Sequence, residues 1–189
     1  MVLPLDKKFR KIITTGQIQI RKKRESLMSN LTNQIERLHD LFVRVTSSLQ
    51  SPFLLAIRLY WGWQLAQNGW GKLHNLPHVV EFFQSLGLPA PAFTATFVSS
   101  FEFVGGILLA LGLLSRIVSL GIVIDMTTAY LTADREAVTA FFSDPGKFYG
   151  ADPFIFWFVA LIVLFFGPGK FALDTLAKRL LRQQHSAAA

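Results

Sequence analysis

The stretch FTATFVSSFEFVGGILLALGLL, residues 93–114, decides the fold class. It is a long apolar run with one ionisable side chain, Glu102. A helix crosses the hydrocarbon of a bilayer with about 20 apolar residues, and this run has that length. Working outward, three further segments are also apolar, namely Phe53 to Trp70, Ile117 to Leu131, and Pro153 to Gly167. The last two are short and draw on flanking residues to span. The first carries Arg58, Gln64, Gln67 and Asn68, a polar stripe that suits a helix facing other helices rather than lipid. Turn residues separate the segments: Leu86-Gly87-Leu88-Pro89-Ala90-Pro91 before the second, Gly112-Leu113-Leu114-Ser115-Arg116 after it, Ser143-Asp144-Pro145-Gly146 within a polar loop of the 130s to 150s, and Gly167-Pro168-Gly169 at the end. The expected fold is all-α: a four-transmembrane-helix bundle over residues 51–176.

Composition agrees. The chain has 189 residues, 51% hydrophobic and only 16% charged, with 18 Phe and no Cys. Ordinary soluble domains carry about 25% charged residues. Without cysteine there is no disulfide, thiol nucleophile, zinc–thiolate site or cysteine-ligated iron–sulfur cluster. The net charge of +7 is uneven, because residues 1–50 hold 10 basic and 4 acidic side chains. Lys7, Lys8, Arg10 and Lys11 form one basic cluster and Arg21 to Arg24 another, with no apolar run of a secretory signal between them. Leu27, Leu31, Ile35, Leu38, Phe42, Val45 and Leu49 then recur at helical spacing. Residues 1–50 are therefore expected to form a basic amphipathic extension, broken from the apolar body at Pro52, with residues 177–189 a basic tail.

Lys and Arg cluster on the side of the head, the Arg116 turn and the tail. This is expected to place both termini of a multi-pass membrane protein in the cytoplasm. The amphipathic helix would then rest on anionic lipid of that leaflet. Nucleic acid is a less economical partner for a basic helix tethered to a membrane.

Five ionisable groups lie in or at the edges of the spans: Arg58, Lys72, Glu102, Arg116 and Asp125. At helical rise, Arg58 sits about 9 Å from the cytoplasmic end, Asp125 about 15 Å and Glu102 about 18 Å. Small residues share their faces: Gly62, Ala66 and Gly69 with Arg58, Gly105 and Gly106 with Glu102, Gly121 and Ala129 with Asp125. Such stripes let helices approach closely, so the charges are expected to face one another. Two carboxyls near each other in low dielectric do not both ionise easily. The cluster reads as a proton-handling or ligand-binding site, with Glu102 exchanging the proton, Arg58 its charge partner and Asp125 a second carboxyl. The alternative is a structural ion pair that fixes helix register. Lys72 reads as a helix C-terminal cap or a ligand contact, and Arg116 as an interfacial anchor or a ligand contact. His74 and His78 are four apart, but Pro77 disfavours a metal pair on one helix face. No histidine lies within a span to hold a membrane haem. Gly105-Gly106 lacks the strand and the Lys-Ser/Thr of a nucleotide loop.

The pieces Arg58, Gly69-Trp70-Gly71-Lys72-Leu73, Phe82-Phe83, Leu86-Gly87-Leu88-Pro89, Glu102, Gly105-Gly106, Leu109, Gly112, Arg116 and Gly167-Pro168-Gly169-Lys170-Phe171-Ala172-Leu173-Asp174 occur in this order. In that order and spacing the chain resembles the DoxX family of small integral membrane proteins, over about residues 53–176. The resemblance implies a four-helix membrane bundle associated with quinone-linked redox or oxidative-stress systems. Redox protein subunits are the implied partners, a homo-oligomer a further possibility, and quinone the implied cofactor. The rival readings are a membrane scaffold without chemistry of its own and a small-molecule permease.

Overall fold

The computed structural model describes residues 7–178 and 183. Residues 1–6 and most of the expected basic tail, 177–189, lie outside the described residues, as do the side chains of Leu27 and Leu31. Among the described residues every regular element is a helix: α1 (Lys7–His74), α2 (Leu76–Ser85), α3 (Pro91–Leu111), α4 (Ser115–Thr132), α5 (Arg135–Thr139), α6 (Pro145–Gly150) and α7 (Pro153–Phe166). A last helical turn begins at residues 173–178. The chain divides into two units, Met1–Ser48 and Leu49–Ala189. In the first, Ile35, Leu38, Phe42 and Val45 are all exposed, so the apolar stripe read from the spacing is uncovered.

The second unit holds the core. Leu65 of α1, Leu109 of α3, Val118, Ile122 and Met126 of α4, and Ala160 and Val163 of α7 meet in one apolar cluster. The four longest helical segments of this unit therefore share a centre. Trp61 of α1 packs edge-on against Phe156 of α7, and the Trp157 indole N–H donates to Thr127 Oγ1 of α4 at 3.1 Å.

Two local expectations change. Pro52 does not end a helix; it lies inside α1. A proline removes one backbone donor and crowds the preceding turn. Here Ser51 and Leu54 are buried, and both lie against Gly169, so tertiary packing holds the helical path through the proline. The polar loop after α4 is not structureless either. It folds into α5 and α6, tied by the exposed Lys147–Glu136 ion pair, by the Tyr130 hydroxyl donating to the Phe148 carbonyl at 2.8 Å, and by stacking of the same two rings.

The turns follow the glycine signals. Gly87 (φ 70°) lies between α2 and α3, and Gly112 (φ 71°) caps α3. That left-handed region is open to glycine at little cost. Leu114 also adopts it (φ 50°), which is strained for a branched side chain. Its amide is held by Asp174, as described below.

Candidate functional site

The site is set by how α1 and α3 approach. A Cβ on Gly62 would stand 2.8 Å from the amide nitrogen of Ala110. One on Gly106 would stand 2.5 Å from the nitrogen of Ala66 and 2.6 Å from the Gly62 carbonyl oxygen. One on Gly69 would meet the Phe103 amide and stand 2.7 Å from the Ser99 carbonyl oxygen. All these neighbours are backbone, so the helices touch main chain to main chain. The pairs Gly62–Ala110, Ala66–Gly106 and Gly69–Phe103 step in antiparallel register. At that register Glu102 is level with Trp70, and Lys72 lies half a turn beyond.

Lys72 therefore reaches Glu102. Its ammonium donates to Glu102 Oε1 at 2.6 Å, with the lysine side chain 38% exposed and the glutamate 4%. The second oxygen, Glu102 Oε2, is buried with no hydrogen-bond partner. Asp125 on α4 lies within Coulombic range of both Glu102 and Lys72, and its Oδ2 is likewise buried and unpartnered. Ser99, one turn before Glu102 on α3, is fully buried with a free hydroxyl. One ammonium and two carboxyl groups thus share the α1–α3–α4 side of the unit. Orphan polar atoms of this kind are costly unless a proton, water or ligand meets them.

Arg58 is elsewhere. By the same register it is level with Leu114, about 18 Å along the helix from the level of Glu102. It is fully buried, donating from Nε to the Leu54 carbonyl and from Nη2 to the Phe171 carbonyl, both at 3.3 Å. Its guanidinium lies over Gly112, where a Cβ would also stand 2.7 Å from the Ala172 Cβ. The expected Arg58–Glu102 partnership is thus replaced by Lys72–Glu102. The physical reason is the start of the first span. Measured from Phe53, Arg58 counts as well inside; but α3 ends at Leu111, level with Trp61, so Arg58 sits just past the end of α3. Arg116 is also remote from the cluster, with its guanidinium beside Gly167.

Asp174 completes the Arg58 end. Its Oδ1 accepts from the Leu114 amide and its Oδ2 from the Ser115 amide, each at 2.8 Å, while its own amide donates to the Gly112 carbonyl at 3.0 Å. The N-terminal amides of α4 are thus capped by a residue 60 positions away in the chain. Burial works to raise the Asp174 carboxyl, but the hydrogen bonds from Ser115 and Leu114 together with the Lys178 charge hold the group below its ordinary value. The folded chain therefore binds this proton less readily than the unfolded chain does. The stabilisation is full above the ordinary carboxylate pKa of about 4 and is lost as pH falls through the lower folded value. Asp174→Ala is expected to cost about 1–2 kcal/mol at neutral pH. It should also flatten the acid limb of the Tm–pH curve of the detergent-solubilised protein; an acid limb identical to the parent's would contradict the capping role.

The sequence reading set Glu102 and Asp125 near one another, where the structure also places them, but it gave Lys72 only a peripheral position and gave none to Ser99 or Asp174. Gly62 and Gly69 are seven apart, as are Ala110 and Phe103, but that these residues face one another is set by the packing of α1 on α3 and is not recorded in the sequence.

The second unit is thus an all-helical domain with a close-packed glycine seam and a carboxyl cluster met by a half-exposed ammonium. Over residues 53–135 the chain matches the family model described as DoxX, and that stretch is a DoxX domain. It is 32% identical over 111 residues to a protein of Mycobacterium tuberculosis described as an uncharacterized membrane protein. That match covers 51% of this chain and 64% of the relative's length. No solved structure matches the chain.

Proposed function

We propose that residues 51–176 cross the bacterial inner membrane four times with both termini cytoplasmic, and that Lys72, Glu102 and Asp125 bind a quinone headgroup and exchange a proton with it. Several features support the membrane part. α3 has 21 residues and is long and apolar enough to cross a membrane. Phe53, Leu59, Trp63, Phe97, Val104, Ile117, Leu120 and Ile124 all face outward. The outward hydroxyls of Thr96, Thr127 and Thr128 donate to the carbonyl one turn back, which satisfies them without water. Residues 1–50 would lie along the anionic leaflet, and 177–189 would face the same side.

The observation that carries the site reading is the Lys72–Glu102 pair with its unused acceptor atoms. Lys72 has donors beyond the one given to Glu102 and can donate to a quinone carbonyl oxygen. Glu102 Oε2 and Asp125 Oδ2 are free to accept from a quinol hydroxyl. Two carboxyls against one ammonium are neutral with one proton between them, and that proton is the exchangeable one. The quinone would carry the electrons, which a redox partner subunit supplies. Arg58 has no part in this step.

A structural reading has an observation of its own, since Lys72 and Glu102 satisfy each other directly. Quinone content separates the two. Purified from a quinone-containing membrane, the chain is expected to carry quinone, and Glu102→Gln is expected to lose it while staying folded. A parent protein free of quinone, with Glu102→Gln changing Tm alone, would leave a scaffold. Solute flux in liposomes holding this protein alone would instead favour a permease.

A further inference from the structure

We propose that the cavity at the Gly112–Gly167 end of the second unit binds the anionic phosphate headgroup of a glycerophospholipid. The cavity has a volume of about 610 Å³ and lies far from Glu102, at the level of Arg58. Three cationic side chains line it, Arg116, Lys170 and Lys178. Among the described residues none of the three is in an ion pair. The one acid in the lining is Asp174, and both of its oxygens are committed to the amides of Leu114 and Ser115. The lining therefore keeps a positive excess and open donors, and a guanidinium with two ammonium groups matches the oxygens of a phosphate.

The other wall decides which phosphate. Leu54, Ile117 and Phe166 are among the apolar lining residues, and Ile117 and Phe166 also lie on the exposed apolar surface of α4 and α7. A free phosphate would use the cations and leave that wall wet. A glycerophospholipid uses both, with its phosphate on Arg116 and Lys170 and its acyl chains running out along Ile117 and Phe166. The inference rests on the membrane reading but not on quinone binding. It also gives Arg116 a partner, which the Lys72–Glu102 cluster does not.

The test uses the full chain in detergent, exchanged with phosphatidylglycerol or phosphatidylcholine and read by native mass spectrometry. The expected result is preferential retention of phosphatidylglycerol, weakened roughly tenfold or more in Arg116→Gln/Lys170→Gln. The charge-preserving pair Arg116→Lys/Lys170→Arg should retain the preference, and Tm should show both variants folded. The N-terminal basic segment is present throughout, so its contribution cancels. Glycerol 3-phosphate should not displace the lipid. Equal retention of phosphatidylcholine, undiminished phosphatidylglycerol binding in the glutamine variant, or displacement by glycerol phosphate would each overturn the proposal. Glu102→Gln should keep the lipid preference while losing quinone, which separates failure here from failure of the quinone site. A chain that does not partition into vesicles at all would overturn the membrane reading beneath both.

Discussion

Replacing Gly106 by alanine is expected to destabilise the second unit by about 3 kcal/mol, the upper end of what overpacking costs. Two effects compete. Alanine is the better helix former, worth up to about 1 kcal/mol in its favour. Against that, its Cβ would stand 2.5 Å from the Ala66 nitrogen and 2.6 Å from the Gly62 carbonyl oxygen. Those are backbone atoms with no rotamer to change, so α1 and α3 must separate. Separation also pulls Lys72 from Glu102, because the same seam sets their level. Gly71→Ala is the control: it adds the same methyl to α1 where nothing lies within 4 Å. It should leave stability unchanged or raise it by up to about 1 kcal/mol. Chemical unfolding of both variants in detergent measures the contrast, and equal stabilities would show that the seam is looser than described.

Lys72→Met is expected to cost about 3 kcal/mol, at the lower end for breaking a buried ion pair because the lysine is partly exposed. The larger part of that cost is Glu102, left charged and buried with no partner. Glu102→Gln removes the charge and should cost about 1–2 kcal/mol. In the double variant neither charge is stranded, so the two costs should fall short of additivity by about 1–3 kcal/mol. Arg58 provides the comparison. Arg58→Met should be damaging in its own right, since it empties a fully buried site beside Gly112 and Phe171, but its cost should add to that of Glu102→Gln. Coupling of Glu102 to Arg58 instead of Lys72 would restore the arrangement drawn from helix depth.

How far the sequence revealed this arrangement depends on the kind of information each residue carries. The helices were legible because apolar runs and Gly–Pro punctuation are local signals. α3 at Pro91–Leu111, α4 at Ser115–Thr132 and α7 at Pro153–Phe166 fall close to the runs read from hydropathy. The buried faces were legible too, since Gly62, Ala66, Gly69, Gly105 and Gly106 lie on stripes of small residues and are all buried. Register between helices was not. Depth counted from each helix end assumes that the ends are level, whereas α1 continues unbroken through Pro52 and α3 stops level with Trp61. That offset turned Lys72 from an end cap into the partner of Glu102 and moved Arg58 to the opposite end. Asp174 was hidden for a different reason. It caps α4 across 60 residues of chain, and no local pattern records which helix a distant carboxylate will cap.

Lys72, and not Arg58, holds the Glu102 carboxylate. Solid-state NMR of the protein in lipid bilayers, measuring dipolar couplings from the Glu102 carboxyl carbon to side-chain nitrogens, tests this most directly. The predicted result is a strong coupling to Lys72 Nζ, none to the Arg58 guanidinium, and a shift of the Glu102 resonance when a quinone analogue is added. A Glu102 carboxyl coupled to Arg58, or to no nitrogen at all, would contradict it.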